Sequence, residues 1–526
     1  AGDYRAVVEY GARALSRDPE NAGLMEGLLM AQVDLGQIAS AVPVARRLAE
    51  LDPENRVAGL VLMAESMQAE DWATVEQMLA DGRSIGGFLD QMIEAWAAVG
   101  TGKMGRALEL FDAMATAPGA GEPALIQKAL ALALVGDYEG AARIFSGEQT
   151  VLQLNRAGIE AYVQVLSQLE RNADAAAMLD EAFPNTADVE LLALRADLEA
   201  GKPIPFTAVT GPREALAQVF YEVSQALLGE TDPGLTLIYA RLALHLDPGH
   251  VGAMLITAQV FEKMKNNALA AEAYAAVPVA DRAYSQAQLG RAMALRQLGQ
   301  IDAALSVLTD LAEVEPELAN VPAALGDTLR FEKRFAEAIP HYDAAIALFE
   351  DDRPGQWSVF FSRAIALERE GRWDEAEADL RKALELSPDQ PSVLNYLGYS
   401  YVERRENLDE ALDMIRRAVG ARPFDGYIRD SLGWAFYRLG HYPEAAEEME
   451  RAVELKPLDP VLNDHLGDTY WAVGRIREAN FQWRRALSFV IDDTNLDELN
   501  PDRIRRKLEI GLDAVLEEEG GEPILK

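Results

Sequence analysis

Small residues recur inside the apolar stretches of this chain at a nearly constant step. Ser224, Ala258, Ala292, Gly326, Ala364, Gly398, Gly433 and Gly467 follow one another at intervals of 34, 34, 34, 38, 34, 35 and 34 residues. A second small residue comes about twelve positions after most of them, at Ala304, Ala338, Ala376, Ala411, Ala445 and Ala479, and a proline about twelve further on, at Pro316, Pro388, Pro423 and Pro457. Antiparallel helices approach closely only where the facing side chains are small, and proline cannot continue a helix. Each unit therefore reads as a helix, a tight turn, a second helix and a proline-marked exit. A period of this length predicts stacked units rather than one globular core.

The first part of the chain keeps the step less regularly. Leu29, Ala95, Ala129 and Val163 stand at the equivalent place, with turn glycines at Gly36, Gly102 and Gly136 and prolines at Pro19 and Pro53. Leu29 and Val163 break the small-residue rule and predict looser packing there. Between Val163 and Ser224 the register jumps by 61 residues: DVELLALRADLEAG reads as a lone first helix, and GKPIPFTAVTGP as a proline-rich, β-prone connector. The expected organisation is all-α, about thirteen helical hairpins in two joined arrays, with residues 1–200 and 213–490 as the arrays and 201–212 as the connector. Residues 491–526 are expected to form one capping helix, near Asp502 to Glu518, and an acidic tail. The four-residue excess at Asp351 to Pro354 predicts an exposed loop.

One unit carries more large residues than a single packed face requires. In YIRDSLGWAFYRLG, at 100° per residue, Leu432, Gly433, Phe436 and Leu439 share one side of the helix, while Asp430, Trp434, Tyr437 and Arg438 share another. The same offsets select Asn395 and Tyr399 one unit earlier, and Asp464, Asp468 and Trp471 one unit later.

Composition removes several kinds of function. With 86 acidic against 49 basic residues, net −37, a nucleic-acid backbone or an anionic membrane is disfavoured as the main partner. No apolar run approaches the roughly 18 residues that cross a bilayer. The absence of cysteine excludes disulfides, thiol nucleophiles and cysteine-held metal within these residues. The five histidines, His245, His250, His341, His441 and His465, show no metal-ligand spacing, and no phosphate-binding glycine loop or nucleophile elbow occurs. The reading is a non-enzyme without cofactor or metal.

The period and its punctuation resemble the tetratricopeptide repeat (TPR) family. The resemblance rests on Leu397, Gly398, Tyr401, Ala411 and Pro423 in one unit, on Leu432, Gly433, Phe436, Gly440, Ala445 and Pro457 in the next, and on Leu466, Gly467, Tyr470, Gly474 and Ala479 in a third. It implies a superhelical solenoid in which the first helix of each hairpin also faces a concave groove. Asn395, Tyr399, Asp430, Trp434, Tyr437, Arg438, Asp464, Asp468 and Trp471 would then line that groove and bind a partner. Their carboxylates would repel a partner's C-terminal carboxylate, unlike the lysine and asparagine of clamp-type chaperone adaptors, and would favour arginine or lysine among apolar anchors. Aromatic rings beside carboxylates also suit a peptidoglycan or other glycan ligand.

The run from LNYLGYSYVERRENLDEALDMIRRAV to FQWRRAL is similar to exported TPR proteins of proteobacteria, among them outer-membrane lipoprotein adaptors that activate a periplasmic carboxyl-terminal processing protease and hold its cell-wall hydrolase substrates. That resemblance implies a scaffold in the periplasm. The opening GDYRAVVEYGARALSRDPEN reads as the second half of a hairpin, which predicts a further helix and a targeting segment upstream, with any lipid-bearing residue there as the outer-membrane anchor.

Overall fold

The computed structural model describes residues 3–525 except 118, 120, 149, 185, 187 and 492–498. The described residues contain thirty α-helices, one 3-10 turn and no strand. Twelve pairs of neighbouring helices pack as hairpins, while Tyr4–Leu15, Val189–Glu199, Pro501–Ile510 and Leu512–Glu518 stand outside the pairing. The described residues are all-α and built from helical hairpins.

The small residues do what their spacing requires. A Cβ added to Gly433 would lie 2.8 Å from Cγ of Met449, a fully buried side chain of the paired helix Tyr442–Leu455. The turn glycines Gly36, Gly102 and Gly136 close their helices at φ of 73°, 75° and 87°, where a side chain would be strained. At Asp351 to Pro354 the chain is exposed as expected, and Pro354–Gln356 forms the 3-10 turn that leads into the next helix.

The helices pack into two compact units, residues 1–304 and 305–526, rather than dividing at the connector. The reason lies in how residues 201–212 are held. Backbone amides of Thr207 and Ala208 donate to Oε1 of Gln164 at 2.8 and 3.0 Å, the amide of Ile204 donates to Oγ of Ser167 at 2.8 Å, and Gln168 donates to the Ile204 carbonyl at 2.6 Å. Val209 is buried in the common core. The connector is thus strapped along the helix Arg156–Gln168 instead of bridging two bodies.

Within the first unit the chain returns on itself. Helix Pro233–Leu246 packs against the first helices Ala22–Asp34 and Arg56–Gln68, and Pro212–Leu227 against Gly87–Gly100. Arg241 Nε donates to the Asp34 carbonyl at 2.8 Å, and Arg5 pairs with Glu272 at 2.6 Å. Burial pushes the Asp34 carboxyl up to about 6, the nearby Arg241 charge offsetting only part of that rise.

The terminal cap is two helices, not the single helix that amphipathic spacing predicts. Gly511 breaks it at φ 86°, and a Cβ there would lie 2.5 Å from Cη2 of Trp471. Ring and backbone can meet only because the residue is glycine.

Candidate functional site

The residues singled out in sequence fall on three successive first helices of the second unit: Pro391–Arg404, Gly426–Arg438 and Pro460–Ala472. The structure brings them together, largely by binding them to one another.

Asp430 is buried and accepts from Nδ1 of His465 at 2.9 Å. The His465 ring lies 4.2 Å from Trp434 with an interplanar angle of 19°, and Tyr437 stacks on Trp434 at 4.8 Å and 13°. Both faces of the indole are covered, and its Nε1 donates to Glu403 at 2.6 Å. Trp434 therefore offers no free platform for a sugar ring. Burial by itself would keep His465 neutral, but the charge of Asp430 and its hydrogen bond, with Asp464 and Asp468 behind, prevail and push the imidazole up to about 9. Burial, reinforced by Asp468, also raises the Tyr437 phenol.

One unit on, the groove position is occupied. Lys507 of the cap helix Pro501–Ile510 has a fully buried side chain whose Nζ donates to Asp464 at 2.9 Å and to Asp468 at 2.6 Å. Asp468 also accepts from Trp483 Nε1 at 2.9 Å, and Arg503 lies 3.6 Å from it. Burial raises the Asp464 carboxyl against the opposing pull of Lys507. Trp471 packs on Trp483 at 5.7 Å and donates to Asp513 at 2.9 Å. Asp464, Asp468 and Trp471 thus face the chain's own C-terminal helices, correcting the expectation that they line an open groove. Three carboxylates can be buried here because His465, Lys507 and Arg503 supply the matching charge.

The remaining residues are less enclosed. Asn395 and Tyr399 are half-buried, and Oδ1 of Asn395 is shielded from solvent without a donor. Arg438 donates to the Glu403 carbonyl at 3.4 Å. Sequence reasoning missed the neighbouring rings on Trp357–Arg369 and Pro391–Arg404. Trp357 and Phe361 lie 6.0 Å apart, Phe361 meets Tyr396 edge-on at 5.6 Å, and the Tyr396 hydroxyl donates to Glu368 at 3.2 Å. The signal was present: Phe361 stands one 34-residue step before Asn395. These half-buried rings, with Glu368 partly exposed and Glu403 exposed, form an aromatic and acidic face over residues 357–403. Such a face can hold apolar side chains and accept hydrogen bonds.

The His465 assignment has a direct test. Its pKa is raised from about 6.5 to about 9, so its contribution is complete below pH 6.5 and is lost as pH rises through 9, a fall of about 3 kcal/mol. Asp430→Asn should lower the imidazole and reduce this alkaline loss, since burial would remain while only Asp464 and Asp468 would still favour the cation. An NMR titration placing His465 near 6.5 in the unaltered chain would rule out the ion pair.

The tetratricopeptide repeat family matches residues 317–389 and 396–460. Among curated proteins, TPR repeat-containing protein PA4667 of Pseudomonas aeruginosa is 28% identical over 185 residues, 34% of this chain and 30% of that protein. Tetratricopeptide repeat-containing protein trd-1 of Caenorhabditis elegans is 28% identical over 149 residues, 28% of this chain and 18% of that protein. The match thus spans less than a third of each relative. Solved structures with similar helical arrangement include the Cut9–Hcn1 hetero-tetramer of APC/C, 14% identical with TM-score 0.40 over 94% of this chain and 96% of that one. A tetratricopeptide repeat protein of Parabacteroides merdae is 14% identical with TM-score 0.38 over 50% and 98%.

Proposed function

We propose, from the helical hairpins and the tetratricopeptide repeat matches over residues 317–389 and 396–460, that this chain is a non-catalytic protein-interaction scaffold, and that its partner binds the second unit. The observation that carries this is the aromatic and acidic face of residues 357–403, where Trp357, Phe361 and Tyr396 adjoin at repeat-equivalent positions beside Glu368 and Glu403. Half-buried rings give a partner apolar area at little conformational cost, and the carboxylates favour cationic side chains. The finer reading is an adaptor in the bacterial periplasm that holds a carboxyl-terminal processing protease together with cell-wall hydrolase substrates, supported by the resemblance of the C-terminal repeats. Such an adaptor accelerates cleavage by raising local substrate concentration, without chemistry of its own.

The test mixes the purified chain with the carboxyl-terminal processing protease and a cell-wall hydrolase of its own host. Cleavage should accelerate, and the chain alone should cleave nothing. Replacing Phe361 and Tyr396 together by alanine should remove about 2 kcal/mol or more of partner binding, roughly thirtyfold, while circular dichroism keeps its helical signal. Unchanged cleavage with every envelope protease of the host would exclude the adaptor reading. Full binding by the double variant would move the interface elsewhere.

A further inference from the structure

We propose that a cleft in the first unit, between the start of the helix Arg56–Gln68 and the loop before Gly87–Gly100, binds an oxyanion, a carboxylate or a phosphate, between Arg56 and Arg83. The cleft has a volume of about 680 Å³. Arg83 is half-buried, and its Nη1 is fully shielded yet reaches no acceptor. A guanidinium nitrogen so placed has lost water without gaining a bond, a cost that an acceptor in the cleft would relieve once the side chain turns toward it. In a chain with 86 acidic residues most arginines find a carboxylate, but among the described residues neither Arg56 nor Arg83 is paired.

The backbone around Arg83 is held by hydrogen bonds. Its amide donates to the Met78 carbonyl at 3.0 Å, Gly82 turns the chain at φ 84°, and the amides of Ile85 and Gly86 donate to Asp90 at 2.7 and 3.2 Å. Gly59 supplies the room. It lies inside a helix and is buried, but an added Cβ would have no atom within 4 Å. Helix packing therefore does not explain the glycine, which costs a helix stability relative to alanine. Glu54 and Asp81 also line the cleft, and both are exposed, as Arg56 is, so water and salt screen their repulsion and the attraction of Arg56 alike. An oxyanion between two guanidinium groups receives charge-assisted, directional hydrogen bonds.

The experiment titrates the full chain with sodium phosphate and, separately, with sodium N-acetylglycinate, at constant ionic strength set by chloride, and follows both calorimetry and melting temperature. Saturable binding is expected, with a rise in melting temperature. Arg83→Gln and Arg56→Gln should each weaken it by about tenfold. Gly59→Ala should melt no lower than the unaltered chain without anion, yet lose the response, because its methyl enters the cleft. Stronger binding of phosphate would identify a phosphoryl ligand, and stronger binding of N-acetylglycinate an acidic group of a protein. Failure of both probes to saturate, or affinity untouched by the arginine and glycine substitutions, overturns the proposal.

Discussion

Lys507→Ala is expected to destabilise the second unit by about 3–5 kcal/mol, the largest effect of any single substitution considered for this chain. The ammonium is fully buried and is the hydrogen-bonding cation shared by Asp464 and Asp468. Truncation leaves two carboxylates enclosed with only Arg503 and His465 near, and the penalty is their uncompensated desolvation rather than the loss of a contact. Hydrogen exchange should report it first in the helix Pro460–Ala472 and in the cap. Adding Asp464→Asn and Asp468→Asn to a Lys507→Met chain should restore much of the loss, because the replaced groups are neutral. A cost below about 1 kcal/mol for Lys507→Ala would put this network on a level with exposed ion pairs.

Truncation of the first unit should have an equally large effect. Residues 1–304 are expected to unfold cooperatively as an isolated fragment, whereas residues 1–200 should show no cooperative transition. The shorter fragment lacks Leu216, Phe220, Leu242 and Leu246, all buried in one core with Leu29, Val61 and Trp96. Burial of each such side chain contributes about 1.5–3 kcal/mol, so their joint loss, on the order of 6–12 kcal/mol as an upper estimate, is comparable to the entire stability of a domain. A sharp, reversible melt of residues 1–200 at the temperature of the longer fragment would show that the returning helices contribute little. The result also bears on mechanism. An adaptor that works by tethering should be divided for study in the turn at Gly299, next to the unit boundary and outside the helix Ile301–Val314, since a cut at 201–212 would damage a unit instead of separating two.

The candidate site was partly legible. Sequence offsets placed Asp430, Trp434 and Tyr437 on one helix face, and the structure has them adjoining. The same offsets could not show that Trp434 spends both faces and its N–H inside the protein, because the covering groups, Tyr437, His465 and Glu403, belong to three different repeats. Trp357 and Phe361 went unread for a different reason. The DDRP insertion lies before their helix and leaves the 34-residue step from Phe361 to Asn395 intact, but Phe361 has no carboxylate one helical turn away to mark it as Asp430 marks Trp434.

What the sequence determined by itself is the hairpin repeat: paired helices, their turns and their close crossings. Each depends on residues within a few dozen positions, where a glycine, an alanine or a proline acts through local sterics. Only the tertiary structure decided where the compact units divide, that the connector is strapped down, and which groove residues remain open. Those outcomes rest on contacts such as Arg241 with Asp34, 207 residues apart, and Lys507 with Asp464, 43 apart. Periodicity assigns a residue to a helix face, but the helices that later pack against it determine what that face meets.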